Sequence, residues 1–209
     1  MKIKTLNNYL NDENTYIVYD EKTLGGIVID PGYKTDGILK ACNDDNIKIK
    51  YIFITHCHYD HIAYLEELRE KTGAKLVSSE NASINIGKPE INHSISGLGY
   101  ALSAKKSEII LDDNEEFTVD GLNIKCILTP GHTNGGACFL INNEKMFSGD
   151  TLFLRSIGRG DLPTGNPFEL VKTIENKLYK LNDNIEVFPG HGGATSIGYE
   201  KKFNMFVRG

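Results

Sequence analysis

Thr55-His56-Cys57-His58-Tyr59-Asp60-His61, directly after the apolar run Tyr51-Ile52-Phe53-Ile54, is the stretch that decides how this chain is read. The apolar run has the length and composition of a buried strand. Immediately after it, three histidines and an aspartate stand within six positions, as His-x-His-x-Asp-His. Imidazole nitrogens and a carboxylate crowded at a strand end are what a zinc-type metal site requires. On an extended segment side chains alternate faces, which predicts that His56, His58 and Asp60 point one way and Cys57 and Tyr59 the other. His61 then precedes a segment, 62–72, with helical apolar spacing (Ile62, Leu65, Leu68). A lone histidine here would be an ordinary surface or capping residue. Four ligand-type groups at this spacing would repel one another or compete for protons unless a cation is shared.

The remaining candidate ligands lie far along the chain, each after a short apolar run and inside a glycine-marked turn. His132 stands in Thr129-Pro130-Gly131-His132-Thr133, Asp150 in Ser148-Gly149-Asp150-Thr151, and His191 in Pro189-Gly190-His191-Gly192. Glycine lets backbone approach an ion closely. His93 breaks this pattern. It sits in a polar stretch with no strand before it and reads as a loop residue. No Ser-His-Asp or Cys-His arrangement is visible.

These motifs, with Asp30-Pro31-Gly32, span nearly the whole chain in one order, and the sequence resembles the metallo-β-lactamase-fold hydrolases. Within them it is similar to the short glyoxalase II-like (hydroxyacylglutathione hydrolase-like) group. That likeness rests on Thr151-Leu152-Phe153, Ser156-Ile157-Gly158-Arg159, Asp161-Leu162-Pro163 and the ending Ala194-Thr195 with Ile197-Gly198. The resemblance implies an αββα sandwich and two divalent metal ions, zinc first, with iron or manganese as alternatives. It implies that His56, His58 and His132 hold one metal, that Asp60, His61 and His191 hold the other, and that Asp150 bridges them. Two such ions about 3.5–4 Å apart lower the pKa of a shared water from about 16 toward 7, which supplies the nucleophile. Asp60 and Asp150 are then the catalytic carboxylates, with Asp60 orienting the hydroxide. Arg159 matches a position where the family places a basic residue near a glutathione carboxylate. A guanidinium fork suits that task, and a salt bridge to Asp161 is the competing reading.

The implied activity is hydrolysis of a small acyl thioester, an S-acylglutathione or a related compound. The longer glyoxalase II enzymes carry a further C-terminal helical domain that binds glutathione. The sequence runs only a short way past His191, so no such domain is expected and a glutathione preference is open. Alternatives are a persulfide dioxygenase with one iron on His56, His132 and Asp150, a β-lactamase or lactonase, and a binding module that kept the fold.

Composition agrees with one domain of α/β type. The 23 basic and 28 acidic residues give a net charge of −5, with no basic stripe, which argues against a nucleic-acid enzyme. The apolar runs are too short to cross a bilayer, and no apolar segment follows Met1 to mark a signal peptide. A cytoplasmic location is expected, with Cys42, Cys57, Cys126 and Cys138 reduced and structural. Strands are expected over 2–6, 15–20, 25–30, 49–55, 74–78, 116–119, 122–128, 138–141, 145–147 and 185–188. Helices are expected over 36–45, 62–72 and 168–181, the last opened by Asn166-Pro167. Residues 86–107 lose all periodicity and read either as a lid over the site or as a surface excursion. Tyr33 and Tyr100 offer aromatic surface for a pocket or for ordinary packing.

Overall fold

The computed structural model describes residues 1–8 and 11–209. Six strands form a first sheet in sequential order: β1 (Lys2–Asn8), β2 (Glu13–Tyr19), β3 (Gly25–Ile29), β4 (Lys48–Phe53), β5 (Lys75–Ser78) and β6 (Ile109–Ile110). The hairpins β1–β2 and β2–β3 are antiparallel; from β3 onward neighbours run parallel. Parallel neighbours need crossovers. Those are α1 (Thr35–Asp44), then the pair α2 (Tyr59–Ile62) and α3 (Leu65–Thr72), then α4 (Glu80–Asn85) and α5 (Ser94–Leu98). The second sheet contains β7 (Glu116–Val119), β8 (Leu122–Leu128), β9 (Ala137–Ile141), β10 (Lys145–Gly149), β13 (Glu186–Pro189) and β14 (Thr195–Ser196), in the order β14-β13-β10-β9-β8-β7. A small hairpin of β11 (Leu152–Phe153) and β12 (Ser156–Ile157) leads to α6 (Pro167–Asn176), and α7 (Ile197–Phe203) closes the fold.

The inner strands of each sheet, such as β2, β3 and β9, are buried on both faces, and the side-chain period of two sorts residues into layers. In β2, Tyr16 and Val18 face the other sheet, while Ile17 and Tyr19 face the helices of the first sheet. In β9, Phe139 and Ile141 point between the sheets, and Cys138 and Leu140 point at α6, where Leu170 and Ile174 cover them. Helix, sheet, sheet and helix thus stack in that order, the αββα sandwich. Edge-to-face aromatics lock the two sheets together: Phe53 on Phe139 at 5.0 Å and Tyr16 on Phe147 at 5.1 Å. All four cysteines are buried and unpaired, and burial pushes the Cys57 and Cys126 thiols up to about 12.

Three expectations are corrected. Strand β4 ends at Phe53, so 54–58 is irregular backbone, and Asp60 lies on a helical turn rather than on the extended face of His56 and His58. The expected helix over 62–72 is two pieces, because Tyr64 leaves helical geometry (φ −116°, ψ 16°) between α2 and α3. The expected helix over 168–181 stops at Asn176 and continues as a 3₁₀ turn, Leu178–Lys180. Its start is as expected: the Asn166 side chain accepts the Glu169 N–H, and Pro167 needs no donor there.

Candidate metal centre

Four strand ends meet at one edge of the sandwich. The loop after β4 carries His56 and His58, and α2 carries Asp60 and His61. The turns after β8, β10 and β13 carry His132, Asp150 and His191. The loop after β4 is joined to the second sheet by the Ala137 N–H, which donates to the Thr55 carbonyl at 2.8 Å. The turn after β13 is joined to that after β10 by the Gly190 N–H to the Gly149 carbonyl, also at 2.8 Å. A Cβ on Gly190 would collide with Asp150 Oδ1 and lie 2.6 Å from the His61 ring, so only glycine allows this approach.

The seven residues fall into two triads with a carboxylate between them. His56 Nε2, His58 Nδ1 and His132 Nε2 lie 2.9–3.3 Å from one another. His61 Nε2 is 3.3 Å from His191 Nε2, which is 3.3 Å from Asp60 Oδ2. Asp150 spans the groups: Oδ1 is 3.4 Å from His61 Nε2, while Oδ2 is 3.5 Å from His132 Nε2 and 3.6 Å from His191 Nε2. Each triad has three ligand atoms close enough to share one ion.

The outer hydrogen bonds set the tautomers. His132 Nδ1–H donates to the Arg159 carbonyl at 2.7 Å, and His191 Nδ1–H to the Asn11 carbonyl at 3.1 Å. His61 Nδ1–H donates to Asp30 Oδ2 at 3.0 Å. The Thr55 hydroxyl donates to the same Asp30 oxygen at 2.6 Å, so its own oxygen accepts from His56 Nδ1–H at 3.0 Å. Four histidines therefore turn Nε2 inward, the atom that carries a bare lone pair whenever the ring is neutral. His58 presents Nδ1 instead, and its buried Nε2 has no hydrogen-bond partner among the described residues. Facing lone pairs with no proton between them repel. The donor set of five imidazoles and two carboxylates fits a pair of divalent cations.

Electrostatics agree. Burial disfavours the charged form of His56, which lies well below the usual imidazole range, and takes His58 down to about 3. Burial also opposes charge on His61, yet Asp150, Asp60 and Asp30 outweigh it and hold its pKa well above the ordinary value. Burial likewise raises Asp150, but His61 and the other imidazoles hold it well below the usual carboxylate range. In the metal-free chain the carboxylates thus draw a proton onto His61, and a cation would replace that charge.

The cluster floors an open cavity of about 440 Å³, lined also by Tyr59, His93, Phe153, Arg159 and Leu162. Arg159 is at the rim, its guanidinium in a bidentate pair with Asp161 at 2.6 and 2.7 Å. The salt-bridge geometry is therefore present, and it is the Arg159 carbonyl that touches the site, through His132. His93 lies in the wall, its ring centroid 6.3 Å from that of His58. No sequence signal marks it: its placement depends on a left-handed backbone (φ 66°) at the start of α5. Asp30 is the other residue without an assigned role. It follows an apolar strand and precedes Pro31-Gly32, the same strand-end pattern as the ligands, which is the signal that marks it. Its carboxylate also accepts the Thr55 N–H at 2.7 Å.

Among proteins this chain resembles, the hydroxyacylglutathione hydrolase GloC of Haemophilus influenzae is 30% identical, over 93% of this chain and 92% of the relative. The BLEG-1 B3 metallo-beta-lactamase superposes with a TM-score of 0.93 at 27% identity, covering 100% of both chains. TTHA1623 in a di-iron-bound form superposes with a TM-score of 0.83 at 27% identity, over 99% of this chain and all of that one. Residues 9–191 match the family description of the metallo-beta-lactamase superfamily. The chain belongs to the metallo-beta-lactamase superfamily.

Proposed function

We propose that this metal-dependent hydrolase cleaves small acyl thioesters. The observation that carries the hydrolytic part is the pair of facing triads with Asp150 between them, under a cavity whose described lining residues include no serine, cysteine or lysine nucleophile. The thioester part rests on the likeness to GloC along nearly all of both chains. His56, His58 and His132 would hold one ion, Asp60, His61 and His191 the other, with Asp150 shared. Zinc is our first choice. Iron is the alternative, given the di-iron form of TTHA1623. Two divalent ions bound there supply an activated water and a Lewis acid for the substrate carbonyl.

The chain's own residues do the rest. Asp30, Thr55, Asn11 and the Arg159 carbonyl hold four imidazoles in the ligating tautomer. Asp60 stands 3.3 Å from His191 Nε2 at the cavity floor and can accept a proton from an attacking water. A thiol of pKa about 8.5 leaves as thiolate without a strong acid beside it, so a thioester needs no dedicated proton donor in the wall. Arg159 at the rim would meet a carboxylate on the thiol arm, in exchange for Asp161.

Metal-loaded protein should hydrolyse S-lactoylglutathione or another member of an acyl-thioester panel, and lose that activity on chelation. No turnover on any thioester contradicts the proposal. The likeness to BLEG-1 favours a second reading, β-lactam hydrolysis, which cleavage of a chromogenic cephalosporin without thioester turnover would support.

A further inference from the structure

A second cavity of about 330 Å³ adjoins the first, within the range of ligand pockets, about 300–1,000 Å³. Tyr59 and Asp60 line both. Beyond them the second cavity is walled by Ala63, Tyr64, Leu98 and Tyr100, with Gly32 and the amides of Asn8 and Asn11 at one side, and Asp60 is the one charged group among its described lining residues. Tyr59 is the partition. Its N–H donates to the Asn92 carbonyl at 2.8 Å, and its ring packs on Gly97, where a Cβ would collide with it. The segment 92–100 therefore runs beside both cavities: His93 at its start faces the metal centre, and Leu98 and Tyr100 at its end face the second chamber. Arg159 belongs to the other side of the centre, tied to His132 through its carbonyl.

We propose that the second cavity receives the uncharged, apolar acyl arm of the substrate, while the thiol arm lies toward Arg159. The chamber offers mostly aromatic and aliphatic surface and, among its described lining residues, no cation, so it suits a hydrocarbon acyl chain and not an anionic group. Tyr59 lies between this surface and the ligand cluster, where a thioester carbonyl would be held with its acyl carbon chain directed over Asp60. The segment 92–100 is then a specificity wall and not a mere surface excursion. This inference rests on the thioester reading, and the experiment separates the two.

The probes are S-acyl N-acetylcysteamine thioesters from acetyl to octanoyl, with metal-loaded wild type, Leu98→Trp and Leu98→Ala. For wild type, kcat/KM should rise about fourfold for each methylene that enters the chamber. Leu98→Trp fills it and should flatten that series, with a loss relative to wild type that grows with chain length. Leu98→Ala should move the preference to longer chains. A flat wild-type series, or a Leu98→Trp loss equal for short and long chains, overturns the proposal and leaves thioester hydrolysis standing. Calorimetric binding of octanoate against acetate gives a readout without turnover. Octanoate bound more tightly by wild type than by Leu98→Trp supports the chamber even if no thioester is cleaved. Equal binding of octanoate and acetate by wild type overturns it.

Discussion

Asp30→Asn tests how the site is held, because Asp30 is not among the seven residues assigned to the metals yet hydrogen-bonds one of them. Its carboxylate accepts three hydrogen bonds: Thr55 N–H on Oδ1 at 2.7 Å, and on Oδ2 the Thr55 hydroxyl at 2.6 Å and His61 Nδ1–H at 3.0 Å. Asparagine keeps the carbonyl for Thr55 N–H and places an NH₂ against the other two. That NH₂ donates to a bare Nδ1, so it favours the wrong tautomer of His61, with the proton on Nε2 and the ligand lone pair lost. Freed from Asp30, the Thr55 hydroxyl can turn, and His56 loses its fixed orientation as well. Loss of such an outer partner costs about 10–100-fold in metal affinity, or about 1.4–2.7 kcal/mol. His61 loses a direct partner and His56 an indirect one, so the Asp60–His61–His191 site should weaken more. The assay is a competition titration of metal-free protein against a chromophoric chelator, with circular dichroism to confirm folding. Thr55→Val is the companion, expected to weaken chiefly the site containing His56. A folded Asp30→Asn protein that binds two metals with wild-type affinity would refute the reasoning.

Other outcomes rest on the same geometry. Gly190→Ala should fold yet bind the Asp60–His61–His191 ion poorly, because the new methyl would press on Asp150 and His61; unchanged metal content by plasma mass spectrometry would contradict this. Phe139→Ala removes a fully buried ring stacked edge-on to Phe53 and should cost about 3–5 kcal/mol in urea unfolding of the chelated protein; a loss under about 1 kcal/mol would be inconsistent with its place between the sheets. Glu13 is fully buried, and burial raises its carboxyl from 4.5 to about 9. A raised folded pKa means that its contribution is complete below 4.5 and is lost as pH climbs toward about 9, so metal-free protein should lose stability across that window. Glu13→Gln should flatten the loss, and an unchanged pH profile of the melting temperature would count against it.

The gathering of the candidate ligands was legible because they follow buried strands, and His132, Asp150 and His191 sit in glycine-marked turns, features that local sequence records. His56, His58, Asp60, His61, His132, Asp150 and His191 all reach one edge of the sandwich. The helix start at Asn166-Pro167 was legible for the same reason, since a cap is a local device. Alternation failed at Asp60 because β4 stops at Phe53, and the chain then turns to bring Asp60 toward His191 and away from His58. The helix over 62–72 broke at Tyr64, whose N–H is taken by the Pro31 carbonyl, a contact between distant segments that no periodicity reports. Glu13, within the polar run Asn11-Asp12-Glu13-Asn14, lies outside the strand expected over 15–20, yet β2 starts there and carries it under the site. His93 and the wall it begins depend on packing against Tyr59, which is likewise a tertiary event. Arg159 was legible as a residue near the site, but its carbonyl, common to every residue type, is the group that meets His132.

If seven side chains hold two divalent ions with Asp150 between them, anomalous diffraction from crystals of protein purified without chelator shows it most directly. Two peaks are predicted about 3.5–4 Å apart, one among His56, His58 and His132 and one among Asp60, His61 and His191, each beside Asp150. A single peak, or two that leave Asp150 unligated, would contradict a shared dinuclear centre.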